Sequence, residues 1–299
     1  MYELLEIVQK EAFSLAVFVS YMTSRYYRLF NEEGRKSSVY YRALCRLIAL
    51  FGYASIKEIA YHLELPEKRV HNLLWYLVNE GILHKFPSDT LPQNFYCLSA
   101  KGRHLVKIFL VSNYISDWTP SRYNLFYQRH HRTVINVWSV FSKAWGKKLS
   151  DWVTEEQLRK EYTGKRARIF DAEFVSKQEI IKYVDGDWGK ETVKEIRIVR
   201  CGLELETELK SARRYEKQIT DMIEHIWAAG YRKEPISKVI FVCGGQAISD
   251  RLKRYLHGRY LEGARVYFID LSELLVSKAE ALVEDFKENT TFQLKDFVF

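Results

Sequence analysis

Four residues in the middle of the chain have the types and spacing of a phosphate-handling centre. Asp171 sits in "IFDAEF". Further on, "CGLELETELKSARRY" carries Glu204, Glu206 and Lys210. In that second stretch Leu203 and Leu205 alternate with the two glutamates, which is the period of a strand. Glu204 and Glu206 therefore share one face, roughly 7 Å apart. Like charges that close oppose folding unless something cationic sits among them. One aspartate and two glutamates on neighbouring strands offer oxygen ligands to a hard divalent cation, Mg²⁺ or Mn²⁺. Such an ion would neutralise the carboxylates, activate a water and stabilise charge developing on a phosphate. Lys210, read as one turn into the following helix, would orient that water or steady the phosphate. Upstream, "VTEEQLRKEY" opens a helix with Thr154 as N-cap and Glu155 in its first turn, an auxiliary acid. The plainer reading of alternating Glu and Leu is a half-exposed strand with one solvated face. The order Asp171, Glu204, Glu206 and then a basic helix with Arg213, Arg214 and Lys217 favours the metal site.

These residues need a sheet to hold them. Strand-like runs occur at "RARIFDAEFV", "VKEIRIVRCGLELET", "SKVIFVC" and "ARVYFID". Helical patterns cover about 123–145, 208–229 and 246–255, and another helix starts near Thr154. Such alternation predicts an α/β domain with a mixed sheet over residues 120–299, the chain being α+β overall.

A different pattern precedes it. In "SIKEIAYHLELPEKRVHNLLWYLVNEGILHKF", Ile56, Ile59, Ala60 and Leu63 form one helical face with Ser55 as N-cap. Leu65 and Pro66 mark a turn and a new helix start. Val70, Leu73, Leu74 and Leu77 make the buried stripe of the second helix, and Gly81 ends it. Lys68, Arg69, Asn72 and Tyr76 are left on the outer face, where a recognition helix meets the major groove. "FYCLSAKGRHLVKIFL" reads as a wing strand followed by a helix. Residues 39–115 thus resemble a winged helix-turn-helix domain, and 1–38 form an N-terminal helical segment. A winged helix used only for protein contact is the alternative, and Trp75 would suit that role too.

Taken together, "RHHRTVINV" (His130, His131), "TEEQLR" (Glu155), "IFDAEF" (Asp171) and "LELETELKSARRY" (Glu204, Glu206, Lys210, Tyr215) resemble the PD-(D/E)XK nuclease superfamily. More narrowly, the winged helix plus this domain resembles MobC-type plasmid mobilisation relaxases and the replication-relaxation family. The resemblance implies a restriction-endonuclease-like domain that nicks double-stranded DNA at an origin of transfer or replication, with Asp171, Glu204 and Glu206 on the metal. It implies no tyrosine nucleophile. Accessory mobilisation proteins, a coupling protein and a second copy of the chain are the other partners it brings to mind. His130, His131, Arg213 and Arg214 are expected to contact DNA. Phe170 stands where the superfamily has proline, and Glu206 where it has lysine, so the lysine's role passes to Lys210. The alternative is a DNA-binding accessory or replication-control protein with an inactive nuclease fold. A host-defence or transposon endonuclease is a third reading.

The rest of the sequence narrows the class. Lys and Arg number 46 against 38 Asp and Glu, a net charge of +8, which points toward a polyanionic partner. With 47% hydrophobic and 15% aromatic residues the chain folds rather than remaining disordered. Cys45, Cys97, Cys201 and Cys243 form no Cys-x-x-Cys motif and sit in apolar contexts, as reduced core thiols of a cytoplasmic protein do. The N-terminal "MYELLEIVQKEAFSLAVFVSYM" has an apolar run too short to span a bilayer and reads as a buried or partner-binding helix, not a signal peptide. No His-apolar-His pair occurs, which argues against tyrosine relaxases. "VCGGQ" lacks the lysine of a nucleotide-binding loop.

Overall fold

The computed structural model describes residue 26 and residues 29–30, 36–87, 93–109, 115–116, 125–146, 149–161, 170–186, 189–229, 236–259 and 263–297. The expected N-terminal helix falls almost wholly outside them. The chain divides into two compact units, Met1–Leu125 and Phe126–Phe299.

The first unit runs α1 (Lys36–Phe51), β1 (Tyr53–Ser55), α2 (Ile56–Leu63), α3 (Glu67–Asn79), β2 (Leu83–Pro87), β3 (Asn94–Leu98) and α4 (Ala100–Phe109). Its antiparallel sheet has the order β1-β3-β2. This is a winged helix-turn-helix. The three-residue strand β1 was not expected. The local chemistry fixes the turns. The Ser55 hydroxyl accepts the Lys57 N–H at 3.2 Å, while Glu58 reaches back to the Ser55 N–H at 2.9 Å, a capping box that starts α2. Glu64 then takes a left-handed conformation and ends it. Pro66 has no N–H to lose at a helix start, and its carbonyl takes the Arg69 and Val70 N–H groups. Gly81, at φ +66°, closes α3 with the left-handed geometry that glycine adopts without cost. Val70, Leu73, Leu74 and Leu77 are all buried, as their spacing predicts. Fully buried Leu44, Leu47, Ile48 and Ile59 complete this core. Tyr53, Phe86 and Phe95 cluster on the small sheet.

The second unit runs α5 (Leu125–Trp145), β4 (Leu149–Thr154), α6 (Glu155–Glu161), β5 (Ala172–Gly186), β6 (Gly189–Glu206), α7 (Ala212–Ala229), β7 (Ile236–Cys243), α8 (Gln246–Leu256), β8 (Arg265–Asp270), α9 (Leu271–Ser277), β9 (Leu282–Asp285) and β10 (Thr290–Gln293). One seven-stranded sheet has the order β10-β9-β8-β7-β6-β5-β4. β4, β5 and β6 form an antiparallel meander; β6, β7 and β8 are parallel; β9 and β10 return antiparallel. This is the expected mixed sheet. The parallel steps need crossovers, which α7 and α8 supply.

One face of the sheet is packed by Tyr215, Ile219, Met222 and Ile226 of α7 and by Ile248, Leu252 and Leu256 of α8, against Val239, Phe241 and Cys243 of β7 and Val266 and Phe268 of β8. On β5, Phe174 stacks with Trp152 and lies near Phe141 and Trp145 of α5. The Trp145 indole N–H donates to the Leu294 carbonyl at 2.9 Å, which ties the C-terminal turn to α5. Burial pushes the thiols of Cys45, Cys201 and Cys243 up to about 12 and that of Cys97 to about 11, so all four are inert core thiols at neutral pH.

Three expectations are corrected. Asp171 is not inside a strand but in the bend just before β5, which then runs on to Gly186. Lys210 does not lie in the helix: α7 begins at Ala212, where the Ser211 carbonyl accepts the Arg214 and Tyr215 N–H groups. The Lys210 N–H is instead held by the Tyr215 hydroxyl at 3.3 Å. Strands β4, β9 and β10 were missed. β9 and β10 are four residues each, too short for a period to stand out.

Candidate functional site

The carboxylates of the second unit gather at the ends of β5 and β6. Register sets this up. Gly202, Glu204 and Glu206 pair with Val239, Phe241 and Cys243, so both glutamates lie on the face covered by α7. One step beyond the Ala172–Leu203 pair, Asp171 stands beside Glu204. Phe170, buried just ahead of it, lies over Gly202 so closely that a Cβ there would be 2.7 Å from the ring. Phe170 thus anchors the approach to Asp171 by packing.

Each carboxylate has a partner from within the protein. The Leu205 N–H donates to Asp171 Oδ2 at 2.7 Å, and His130 Nε2 lies 2.9 Å from Oδ1. Burial pulls the His130 pKa down, and this is the largest single effect. The hydrogen bond to Asp171, with the charges of Asp171, Glu155 and Glu204, outweighs it and lifts His130 to about 9. His130 is therefore an imidazolium at neutral pH. Glu204 and Glu206 are 3% and 1% exposed, so they are not a solvated strand face. Gln218, on α7 and 2% exposed, bridges them. Its Nε2 donates to Glu204 Oε1 at 3.0 Å and also to Glu206 Oε1. Lys210 Nζ donates to Glu206 Oε1 and, at 3.1 Å, to Gln218 Oε1. What sits between the paired glutamates is thus an amide and an ammonium.

Glu155 opens α6, where its N–H donates to the Asp171 carbonyl at 3.1 Å and its carboxylate pairs with Arg159. The Thr154 N–H donates to Gln157 Oε1 at 2.7 Å, which fixes this helix start as the sequence predicts. His131 is half-buried on α5, and Arg213 and Arg214 are exposed in the first turn of α7. Tyr215 is fully buried, and its hydroxyl lies 3.5 Å from the Glu208 carbonyl, so it is a packing residue.

The donor atoms here are of the oxygen type a hard cation takes. Among the described residues, however, no three His, Cys, Asp or Glu side chains are grouped so as to hold a metal ion. Gln218 binds both glutamates and Lys210 binds Glu206, while Leu205 and His130 hold both oxygens of Asp171. As it stands, His130 and Lys210 bring two positive charges to three carboxylates, and Gln218 adds a neutral donor.

Sequence reasoning missed two of its parts. Gln218 was legible in principle, as a polar residue amid the buried positions Tyr215, Ile219 and Met222 of an otherwise apolar stripe. Glu173, fully buried, pairs with Arg200 at 3.0 Å across the β5–β6 ladder, and no local signal announces it.

In the first unit, Lys68, Arg69 and Asn72 are exposed on α3, together with His71 and Trp75. Trp75 is 62% exposed, unusual for so large an apolar side chain. The Arg69 guanidinium lies 5.0 Å above the Tyr40 ring. Tyr76, expected on the outer face, is half-buried against Tyr41, with ring centroids 5.5 Å apart. Its ring fills the α1–α3 seam.

The fold and site define a class: a winged helix and a seven-stranded mixed α/β sheet that buries paired carboxylates. No family model matches the sequence, and no curated protein matches it. Among solved structures, a mutant MarR from E. coli complexed with operator DNA is 17% identical, covering 32% of this chain and 71% of that one, at a TM-score of 0.23. RV1404 from Mycobacterium tuberculosis is 12% identical over 48% and 94%, at 0.26. TrmBL2, an archaeal chromatin protein, is 14% identical over 83% and 78%, at 0.21. These overlaps are too slight to define a fold, and the winged-helix assignment rests on the element order and register above. Among the described residues no helix is long and apolar enough to cross a membrane.

Proposed function

We propose that the chain is a DNA-binding protein of the accessory or replication-control kind, in which α3 reads duplex DNA and the carboxylates of the second unit are held by side chains of the protein itself. The observation that carries this is α3 itself. One stripe is wholly buried, and Lys68, Arg69, His71 and Asn72 stand exposed on the rest of its surface. The major groove, about 12 Å wide, admits such a helix. Lysine and arginine answer phosphate or guanine, and asparagine answers adenine. The net charge of +8 favours the same partner. The test is selection of bound duplexes from a random pool, followed by titration of the best sequence. Binding that shows no sequence preference, or a preference untouched by Arg69→Ala with Asn72→Ala, would overturn the reading.

A second reading is a Mg²⁺- or Mn²⁺-dependent nickase at a transfer or replication origin. It is favoured by the placement of Asp171 beside Glu204, with Lys210 against Glu206. Asp171, Glu204 and Glu206 would hold the ion, in place of Gln218 and Lys210, and the ion would supply an activated water. Lys210, once released, would face the phosphate. Supercoiled plasmid incubated with Mn²⁺ or with chelator decides it: nicking that Asp171→Asn abolishes supports the nickase. If there is no nicking and no metal-dependent rise in melting temperature, the accessory reading stands alone.

A further inference from the structure

Lys68, His71, Asn72 and Trp75 stand in one line along α3, spaced i, i+3, i+4 and i+7, and all are exposed. On a helix those positions share one face, over about 10 Å of axis. A helix lying in the major groove reaches base edges from positions spaced in this way. Val70, Leu73, Leu74 and Leu77 are buried on the other side of α3, so the line faces away from the core. Arg69 stands beside it, with its guanidinium 5.0 Å above the Tyr40 ring.

Three members of the line are polar. Trp75 is apolar apart from one N–H, and 62% of it is exposed. Among the described residues of α3 it is the one exposed apolar side chain, since Tyr76 and Val78 are half-buried. Its exposed neighbours one turn away are His71, Asn72 and Asn79. Trp75 is therefore a single ring in a polar strip, and α3 presents no contiguous apolar patch of the kind that marks a protein interface. Such a ring is matched by an apolar group in whatever the polar strip binds. The major groove displays one, the methyl on C5 of thymine; the other groups that tell bases apart there are hydrogen-bond donors and acceptors.

We propose that Trp75 reads a C5-methylated pyrimidine in the duplex that α3 binds, which in unmodified DNA is thymine. The inference rests on the reading of duplex DNA by α3 proposed above. In that reading Asn72 answers adenine. Trp75 is three residues further on, about 4.5 Å along the helix axis, and base pairs rise by about 3.4 Å. The methyl therefore lies one or two base pairs from that adenine, on the side away from Lys68. 5-Methylcytosine presents the same methyl at the same place in the groove, so the two bases are sources of one chemistry.

The experiment takes the duplex selected by the full chain and replaces each thymine in turn by deoxyuridine, which removes the methyl and keeps the Watson–Crick pair. Titration of the wild type should show a loss of about three- to tenfold at one thymine close to the adenine, the share of one buried methyl. Trp75→Ala changes an exposed side chain and should melt as the wild type does. It should bind the thymine duplex more weakly by the same factor and no longer distinguish thymine from deoxyuridine there. Trp75→Phe should keep the distinction. Cytosine and 5-methylcytosine at that position assign the source: a gain on methylation means that either methyl serves, and no gain means thymine alone. Selective binding that no deoxyuridine weakens, or a loss that persists in Trp75→Ala, overturns the proposal and leaves α3 reading DNA without this ring. Affinity untouched by Trp75→Ala overturns it too, and assigns the ring to a protein partner. Binding with no sequence preference overturns the reading of DNA by α3, and this inference with it.

Discussion

Asp171 and His130 form a 2.9 Å ion pair that joins the approach to β5 with the start of α5. The imidazolium occupies one oxygen of an aspartate that the superfamily resemblance gives to a metal. Glu206 is likewise held by a side-chain cation, Lys210, with the neutral Gln218 amide as a second donor.

The His130 pair makes stability depend on pH. In the folded chain the imidazole titrates near 9, against 6.5 as its ordinary value. A raised folded pKa contributes stability in full below 6.5, loses it progressively between 6.5 and about 9, and has none left above. The unfolding midpoint in urea should therefore fall across that window in the wild type and change less in His130→Gln. Histidine nitrogen NMR should find one ring titrating near 9; a value near 6.5 for His130 would contradict the ion pair.

Gln218→Leu should be strongly destabilising, although leucine fits an apolar helix stripe. It strips a donor from two buried carboxylates, and each unsatisfied buried group costs about 1–3 kcal/mol or more when charged. Urea denaturation should show a loss of about 3 kcal/mol. Gln218→Glu should be worse, since it adds a third carboxylate. A neutral Gln218→Leu would mean that the amide bridge contributes nothing.

On α3 the two faces should respond differently. Arg69→Ala or Asn72→Ala should weaken binding to a selected duplex by about 1–3 kcal/mol and leave melting unchanged. Tyr76→Ala should instead lower the melting temperature, because its ring packs on Tyr41. Gel-shift titration beside calorimetry separates the two. A Tyr76 variant that melts normally but fails on DNA would put that ring in the groove after all.

Gly202→Ala should destabilise by about 1–3 kcal/mol through overpacking, since the new methyl would meet the Phe170 ring at 2.7 Å. Phe170→Leu in the same chain should recover part of the loss, and a double-mutant cycle in urea measures the coupling. Strict additivity would show that the two residues do not touch.

The elements of the first unit were readable because their determinants are local. Ser55 and Glu58 cap one helix, Pro66 starts the next, Gly81 ends it, and a 3.6-residue stripe selects the buried face. The same holds for the alternation around Glu204 and for the four buried cysteines. Locality failed where a partner lies far away in sequence. Tyr76 is apolar enough to pack, and only its contact with Tyr41 decided that it is half-buried and not on the open face. The sequence by itself determined which residues alternate, cap and cluster, because those depend on neighbours within a turn or a strand. Only the tertiary structure decided that Gln218, Lys210 and His130 would meet Glu204, Glu206 and Asp171. Those contacts depend on strand order, register and the helix crossing the sheet, and a buried carboxylate accepts whichever donor that geometry delivers.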